Sequence, residues 1–426
     1  MSEVFSLASY ILIVVFAAAY TAIVFEHSTK VNKAAAALIG AALCWFVIFV
    51  EGRAAHGASV SVLSEHVSSV SQIIFFLMGA MTIVELIDSH HGFQLIIDLM
   101  RTRSKTKMLW IIGLTTFFVS AVLDNLTSTI VMVSVLRKIL PNKLERWFFG
   151  AIVVIAANAG GAWTPIGDVT TTMLWIHGNL STLSVMRSLF IPSLVSLVVA
   201  LIYGSFRYWG QKIEAFPRGE ERLPHPGAKL TFFLGIGALI LVPVIKGVTG
   251  LPPFMSMFIG VGILWMATDL RHAGHHDRDH LRMTHALTRI DTSGILFFLG
   301  ILLAVGALEA AGILGALAGW VNTVIPNVEV VALLIGLASA VVDNVPLVAA
   351  TMSMYDLTAF PIDSPFWDLI AYCAGTGGSI LIIGSAAGVA LMSLEKVDFF
   401  WYLRKISVVA FLSYAAGAGT YLLLGI

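Results

Sequence analysis

Acidic residues interrupt several otherwise apolar stretches of the sequence. Asp124, Asp168 and Asp343 lie far inside such stretches, and Glu85 and Glu309 lie near the ends of two others. A charged side chain at the centre of a bilayer costs about 2.5–3.5 kcal/mol on insertion scales, so acids in such positions are candidates for function. Because no lysine or arginine lies in the middle of these stretches, we expect a positive species, either a metal cation or protons, to enter the site.

Glycine, proline and neutral oxygen donors accompany the acids. Residues 158–168 read NAGGAWTPIGD, and residues 375–379 read GTGGS. Glycine and proline break helices, and unwound backbone exposes carbonyl oxygens that suit a small hard cation. We expect an all-oxygen shell of the kind that Na+ or Li+ favours. The neutral side chains that could supply it are Asn125, Asn158, Thr164, Asn344, Thr376, Ser379 and Ser385.

Each candidate also has a purely structural interpretation. An Asp-Asn pair at a helical turn can serve as an N-cap, and Asp168 can cap the second half of a broken helix. Glu85 and Glu309 can extend to the membrane interface. Glycines can allow helices to pack closely, which is the role we expect for Gly312, Gly315 and Gly319.

The composition defines the class of protein. Of 426 residues, 58% are hydrophobic and 12% are charged, whereas a soluble domain carries about 25% charged residues. Two or three soluble domains are therefore excluded, and a polytopic membrane protein is predicted. The formal net charge of zero gives no reason to expect nucleic acid as a partner. We interpret the apolar run 5–25 as a retained transmembrane helix, not as a cleavable signal.

Twelve apolar stretches can be assigned to the bilayer. Eight are uninterrupted and long enough to cross it: 5–25, 34–50, 69–88, 186–206, 230–246, 252–269, 293–310 and 405–424. The distribution of lysine and arginine predicts that the interrupted stretches 108–140 and 329–354 are re-entrant hairpins, with tips near Asp124 and Asp343. The stretches 147–176 and 367–393 are predicted to cross as broken helices.

The two halves of the chain have related motifs in the same order. SAVLDN at 120–125 matches SAVVDN at 339–344, and the glycines at 160, 161 and 167 match those at 377, 378 and 384. We predict an all-α membrane protein of two inverted repeats, 1–206 and 230–426, joined by a cytoplasmic linker at 207–229. About ten helices cross, two hairpins re-enter, and both termini lie outside.

Enzyme signatures are missing from the sequence. It contains no His-Glu-x-x-His, P-loop or Gly-x-Ser-x-Gly motif. We therefore predict a protein that is not an enzyme, needs no cofactor and is driven by an ion gradient. A histidine-rich loop between His272 and His285 suggests metal binding or pH sensing, although a solvated loop is the simpler interpretation.

Three segments resemble the NhaD-type sodium/proton antiporters of the ion transporter superfamily: residues 124–129, 158–170 and 343–346. The resemblance extends from about residue 5 to 424 and is most specific at 157–170. It implies an elevator-like homodimer in the plasma (inner) membrane. It also implies that the ion path is lined by Asp124, Asn125, Asn158, Asp168, Thr170, Asp343 and Asn344. Ser385 stands where the first repeat has Asp168, so Thr376, Ser379 and Ser385 would contribute mainly neutral ligands.

The leading hypothesis is exchange of cytoplasmic Na+ or Li+ for external H+. The cation would bind at Asp124, Asp343, Asn158 and Asp168, where protons compete for the same carboxylates. Asp124 and Asp343 would be the paired acids, and Glu85 and Glu309 are candidate proton relays. The alternative is a sodium-coupled dicarboxylate symporter of the same superfamily, although acids at the tips would repel an anion. A channel or pH sensor is a second alternative, and an intramembrane enzyme is a distant third.

Overall fold

The computed structural model describes residues 6–24, 26, 30–51, 56–94, 102, 104–212, 227–274 and 276–425. Helices joined by short turns make up the regular structure of these residues, with one isolated β-bridge between Ser104 and Lys212. The predicted all-α class is therefore confirmed. Of the predicted linker 207–229, residues 213–226 lie outside the described residues.

Eight helices lie among the described residues of the first half of the chain. They are α1 (Leu7–Val24), α2 (Lys33–Glu51), α3 (His56–Ser89), α4 (Lys105–Ser120), α5 (Asn125–Ile139), α6 (Lys143–Ala162), α7 (Val169–His177) and α8 (Thr182–Tyr208).

Eleven further helices follow in the second half. They are α9 (Ala228–Thr249), α10 (Pro253–His272), α11 (Met283–Ala286), α12 (Thr292–Ala310), α13 (Ile313–Val324), α14 (Val328–Ala338), α15 (Asn344–Met354), α16 (Pro365–Gly377), α17 (Ala386–Glu395), α18 (Phe399–Lys405) and α19 (Ser407–Leu424). A short 3-10 helix, His276–Leu281, precedes α11.

Eight described helices are long and apolar enough to cross a membrane: α1, α2, α3, α8, α9, α10, α12 and α19. They coincide with the eight uninterrupted apolar runs of the sequence. The other four apolar stretches are each divided into two helices at the polar or glycine-rich positions that the sequence indicated. The path of these divided stretches through a bilayer, including their re-entrant course, stays a prediction.

The segment 311–328 lies between two of the apolar stretches that were assigned to the bilayer. It contains the helix α13, which meets α14 at an angle of 115°. Gly312 precedes α13 with a φ of +70°, a conformation that glycine adopts without strain. Leu314 and Ala318 of α13 are buried, whereas Trp320 on the same helix is half exposed. The apolar face of α13 therefore packs onto the protein, and its length is too short to cross.

The helices pack into two groups around separate apolar cores. We call α1, α2, α3, α9, α10 and α12 the scaffold bundle, because they share one core that includes Trp45, Ile83 and Met257. We call α4–α8 and α14–α19 the site bundle, which has two cores of its own. Leu123 and Trp175 of the site bundle are buried against the scaffold core, so the two bundles meet along an apolar interface.

Corresponding helices of the two halves make corresponding contacts within the site bundle. The helix α4 packs on α6, and α14 packs on α16 in the same way. The second half of each broken helix crosses over, so that α7 packs on α15 and α17 packs on α5. The closing helices α8 and α19 pack on each other. This exchange of packing partners places the breaks between α6 and α7 and between α16 and α17 at the centre of the site bundle.

Candidate ion-binding site

Glycines allow the hairpin helices to lie directly against the broken helices. A Cβ atom at Gly160 would overlap the backbone carbonyl of Phe117, and one at Gly377 would overlap the carbonyl of Gly336. A Cβ at Gly384 would lie 2.6 Å from the carbonyl oxygen of Ser339. These contacts are with backbone, which cannot rotate away as a side chain can. Any larger residue would therefore separate the helices.

Two equivalent serines fasten these contacts. The Oγ of Ser120 donates to the carbonyl oxygen of Ala157 at 2.7 Å, and the Oγ of Ser339 donates to that of Ala374 at 2.8 Å. Both serines are fully buried. The serines of the two matched motifs therefore make equivalent hydrogen bonds, each from a hairpin to the broken helix of the same half.

The three central acids are helix N-caps, as their structural interpretation predicted. Asp124 accepts from the backbone N–H and the hydroxyl of Thr127, both at 2.7 Å, and Asp343 accepts from the N–H of Val345 at 3.1 Å. Asp168 Oδ1 accepts from the N–H of Thr170 at 3.3 Å. A carboxylate at a helix N-terminus is stabilised by the helix dipole, so capping and ion binding are compatible.

Asp168 keeps one carboxylate oxygen without a hydrogen bond. Its side chain is 1% exposed, and Oδ2 has no partner among the described residues. A Cβ atom at Gly375 would lie 3.0 Å from this oxygen, so the glycine leaves space beside it. A buried carboxylate oxygen requires a proton, a donor or a cation. Asp168 therefore presents an open ligand position between the two broken helices.

Asn158 joins the two halves of the site. Its Oδ1 accepts from Asn125 Nδ2 at 3.0 Å, and its Nδ2 donates to the hydroxyls of Ser379 and Ser385 at 2.8 and 2.9 Å. The side chain is completely buried. Ser385, whose Oγ also accepts from the N–H of Gly388 at 3.2 Å, caps α17 as Asp168 caps α7. Four residues predicted from the sequence are thus brought into one hydrogen-bonded cluster.

Other predicted residues are buried nearby but are bonded differently. Thr376 donates to the carbonyl of Tyr372 in its own helix at 2.6 Å, and Asn344 is 5% exposed. The hydroxyls of Ser128, Thr129 and Thr170 are buried and have no hydrogen-bond partner among the described residues. Ser128 and Thr129 were not selected from the sequence. The signal available was their place within one turn of the Asp124–Asn125 tip.

Two acids have cation partners, which corrects the expectation that none would. Asp343 Oδ2 lies 3.6 Å from Lys33 Nζ, and Glu85 Oε1 lies 3.0 Å from Arg289 Nε. Both cationic residues lie at the ends of apolar stretches. The sequence-based expectation concerned lysine and arginine only in the middle of these stretches and therefore did not include them. Asp124 and Asp168 form no ion pair with any described residue.

A cavity of about 360 Å³ reaches the tip of the first hairpin. Asp124, Asn125 and Lys33 line it, together with Phe76 and Phe297. Its lining extends to Glu26, Asn32 and Asp291. Asn32 and Asp291 lie immediately before α2 and α12, so the cavity opens at the N-terminal ends of these two helices.

Two further cavities contain the outlying glutamates. One of about 540 Å³ is lined by Glu85, Asp88 and Arg289, and it shares Met81 and Asp291 with the cavity at Asp124. The other, of about 430 Å³, is lined by Glu309, which accepts a hydrogen bond from Ser353 at 2.6 Å. Asp291 immediately precedes α12 and Glu309 lies at its end, so these cavities lie at opposite ends of that helix.

No three His, Cys, Asp or Glu side chains converge among the described residues. The histidines of the loop between His272 and His285 do not converge on one point either. His272 is buried, with its Nε2 3.1 Å from Nε2 of His90, whereas His280 and His285 line the cavity at Glu85. In this arrangement a cation at the central site would therefore be held by one or two carboxylates together with amide, hydroxyl and carbonyl oxygens.

The fold and the site together define a multi-span membrane transporter whose polar site lies between two broken helices. The chain belongs to the citrate transporter family CitMHS, whose sequence model matches residues 20–375, and it is similar to proteins named sodium/proton antiporters. Sodium/proton antiporter 1 of Arabidopsis thaliana is 55% identical over 96% of this chain and 71% of its own length. Sodium/proton antiporter 2 of the same plant is 53% identical over 96% and 97%. The Na(+)/H(+) antiporter NhaD of Vibrio cholerae is 30% identical over 97% and 91%. The resemblance to NhaD-type antiporters is confirmed.

Proposed function

We propose that this protein is a secondary transporter that exchanges Na+ for H+. The observation that carries the proposal is the central site, in which Asp168 has a buried, unbonded oxygen and Asn158 joins the two broken helices. The near full-length similarity to proteins named sodium/proton antiporters supports the same function. The exchange takes place across the membrane that the eight long apolar helices cross.

The transported cation binds where the two breaks meet. Asp168 supplies its open oxygen, and Asp124 supplies a second carboxylate from the end of the cavity. Asp343 contributes when it is released from Lys33. The neutral ligands come from both halves: Asn125, Asn158, Thr170, Asn344, Thr376, Ser379 and Ser385. Li+ has the same preference for hard oxygen ligands and is the second transported ion in this proposal.

Competition for the acids couples the two ions. A buried carboxylate is costly when it is charged and unpaired, so each acid holds either a proton or the metal cation. Protons arriving from outside displace Na+, and Na+ arriving from the cytoplasm displaces protons. Glu85 and Glu309, in cavities at opposite ends of α12, relay the protons. A carrier that moves only when its acids are neutralised performs exchange.

The architecture suggests how access alternates. We propose two inverted repeats, because corresponding helices make corresponding contacts and the broken helices exchange partners. The site bundle then moves as an elevator against the scaffold bundle, which forms a homodimer. Both termini lie outside, and the plasma membrane is the proposed location.

A sodium-coupled carboxylate symporter is the second candidate. The family description, citrate transporter, favours it, and Lys33 places one positive charge in the cavity. Glu26, Asp124 and Asp291 line the same cavity, and these acids would repel a dicarboxylate. The charge of the cavity therefore favours a cation as cargo.

Reconstituted proteoliposomes distinguish the two candidates. Proteoliposomes that contain the purified protein are loaded with 22Na+. The efflux of 22Na+ is then measured with and without an inward proton gradient. A separate arm measures uptake of radiolabelled citrate with and without Na+. Proton-stimulated 22Na+ efflux without citrate uptake supports exchange. Sodium-dependent citrate uptake with no proton-stimulated efflux would replace exchange by symport.

A further inference from the structure

Lys33 and Asp343 form an ion pair between the two bundles. Lys33 is the first residue of α2 in the scaffold bundle, and Asp343 caps α15 in the site bundle. Their Nζ and Oδ2 atoms are 3.6 Å apart. The pair Lys105–Glu145, by comparison, lies wholly within the site bundle. The Lys33–Asp343 pair therefore depends on the relative position of the two bundles.

The pair makes the two hairpin tips chemically different. Asp124, the equivalent acid of the first half, accepts two hydrogen bonds from Thr127 and has no ion pair with a described residue. Asp343 accepts one bond from Val345 and faces an ammonium group. Matched sequence motifs thus hold one acid without a cation and one acid with a cation supplied by the protein.

The ammonium group lies where an entering ion would meet it. Lys33 lines the cavity that contains Asp124, and its Nζ lies 4.3 Å from the centre of the Phe297 ring. The side chains of Lys33 and Asp343 are 35% and 26% exposed. Glu26 and Asp291 are the other charged groups that line this cavity. Asp343 is not among the residues that line the cavity, but its carboxylate faces the ammonium group of Lys33, so a small cation that binds Asp343 competes with Lys33.

We propose that Lys33 is a tethered cation that occupies Asp343 when no transported ion is bound, and that Na+ must displace it. The proposal rests on Na+/H+ exchange as the function. Lys33 neutralises the empty site and fastens the site bundle to the scaffold bundle. Binding of Na+ at Asp343 breaks this fastening, so occupancy of the site frees the bundle to move. Lys33 therefore determines the apparent affinity for Na+, because Na+ binds Asp343 only at concentrations that displace the ammonium group.

The test compares Lys33→Gln and Lys33→Arg with the wild-type protein. Lys30→Gln is the matched control, since Lys30 is exposed three residues before the start of α2 and its substitution changes the net charge equally. Two quantities are measured: the Na+ concentration for half-maximal exchange in everted vesicles, and equilibrium 22Na+ binding to the purified protein. Size-exclusion chromatography in detergent checks that each variant is folded.

Lys33→Gln is expected to lower the half-saturating Na+ concentration about fivefold in both measurements, the factor that corresponds to about 1 kcal/mol for a partly exposed ion pair. Lys33→Arg and Lys30→Gln are expected to stay within about twofold of wild type. A lower turnover of Lys33→Gln with unchanged 22Na+ affinity would overturn the proposal. The ion pair would then only hold the two bundles together and would not compete with Na+. An equal shift in Lys30→Gln would also overturn it. A wild-type protein that neither binds nor exchanges Na+ would overturn the function as well.

Discussion

Single residues at the centre of the molecule carry two roles at once. Asp124 and Asp168 cap helices, and the same carboxylates are the candidate ligands of the ion. Capping needs only an acceptor oxygen, which serine also provides. Ion and proton exchange need a group that can carry negative charge. The two roles can therefore be separated by substitution.

Substituting serine for either acid should abolish exchange without unfolding the protein. Asp168→Ser reproduces the residue that caps α17 at Ser385, and Asp124→Ser keeps a cap on α5. Because serine caps about as well as aspartate, we expect thermal stability within about 0.5 kcal/mol of wild type and no Na+-driven proton flux. Asp398→Ser, at an exposed cap that accepts from Trp401, is the control and should exchange normally. Normal exchange by Asp168→Ser would remove Asp168 from the mechanism.

Asn158 should be necessary in a way that another asparagine of the same helix is not. Asn158→Ala removes the amide that bonds Asn125, Ser379 and Ser385 and leaves buried partners unpaired, at about 1–3 kcal/mol for each unsatisfied group. We expect at least a tenfold loss of exchange rate, measured in vesicles at equal protein content. Asn142→Ala removes only an exposed cap at the start of α6 and should leave the half-saturating Na+ concentration unchanged. Equal losses in both variants would contradict the central role of Asn158.

The sequence predicts part of this site and cannot predict the rest. Residue types and spacing were sufficient for Asn158, Ser379 and Ser385, because polar residues beside clustered glycines in an apolar stretch have few other uses. The ion pair of Asp343 could not be found in this way. Its partner Lys33 belongs to the other bundle. A single sequence does not show which helix ends are in contact in the folded protein. Whether the residues bind Na+ stays a prediction.

At the scale of elements, the breaks in the helices depend on backbone contacts. Gly160 and Gly377 of the two broken helices face the carbonyl groups of Phe117 in α4 and Gly336 in α14, with no side chain between them. Matched glycine spacing predicted the breaks because both halves need the same close approach. The expected packing role of Gly312, Gly315 and Gly319 was wrong, since a Cβ atom at any of these positions would meet no described heavy atom of another element within 4 Å. Glycine in an apolar stretch therefore does not by itself indicate a close helix contact.

Alanine at the close contacts should destabilise the site bundle. Gly160→Ala and Gly377→Ala each force a Cβ atom into backbone, and overpacking of this kind typically costs about 1–3 kcal/mol. We expect a lower melting temperature in detergent and a loss of exchange for both. Gly315→Ala on α13 is the control, and it should be neutral or stabilising by up to about 1 kcal/mol because alanine favours helix. Wild-type stability in Gly160→Ala would show that α4 and α6 do not approach as described.

At the scale of the whole molecule, the protein consists of two bundles that meet along an apolar interface. The eight long helices were predictable from hydrophobicity alone, since a bilayer demands length and apolar character. Their grouping was not, because almost every helix face is apolar and periodicity does not distinguish a neighbour from lipid. The helix α13 escaped prediction for the same reason: a short apolar segment is compatible with a loop or an interfacial helix.

Movement of one bundle against the other can be tested by cross-linking. Glu309 of α12 and Ser353 of α15 lie on different bundles and their side chains are within hydrogen-bond distance, so Glu309→Cys with Ser353→Cys should form a disulfide on oxidation. Because Glu309 is a proposed proton relay, the reference is the reduced form of the same variant, and we expect oxidation to lower exchange below that reference and reduction to restore it. The control pair, Ser6→Cys with Glu51→Cys, joins the residue before α1 to the last residue of α2 within the scaffold bundle and should exchange equally in both states. Full activity of the cross-linked Glu309–Ser353 variant would exclude movement at this interface.

The central claim is that Na+ entry at a carboxylate site drives protons in the opposite direction. The most direct measurement uses everted membrane vesicles with an acidic interior and a pH-sensitive dye, to which Na+, Li+, K+ and citrate are added in turn. We predict rapid alkalinisation of the interior on addition of Na+ or Li+, absent from vesicles that lack the protein and from vesicles with Asp168→Ser. No change with any cation, in vesicles that contain folded wild-type protein, would contradict the account.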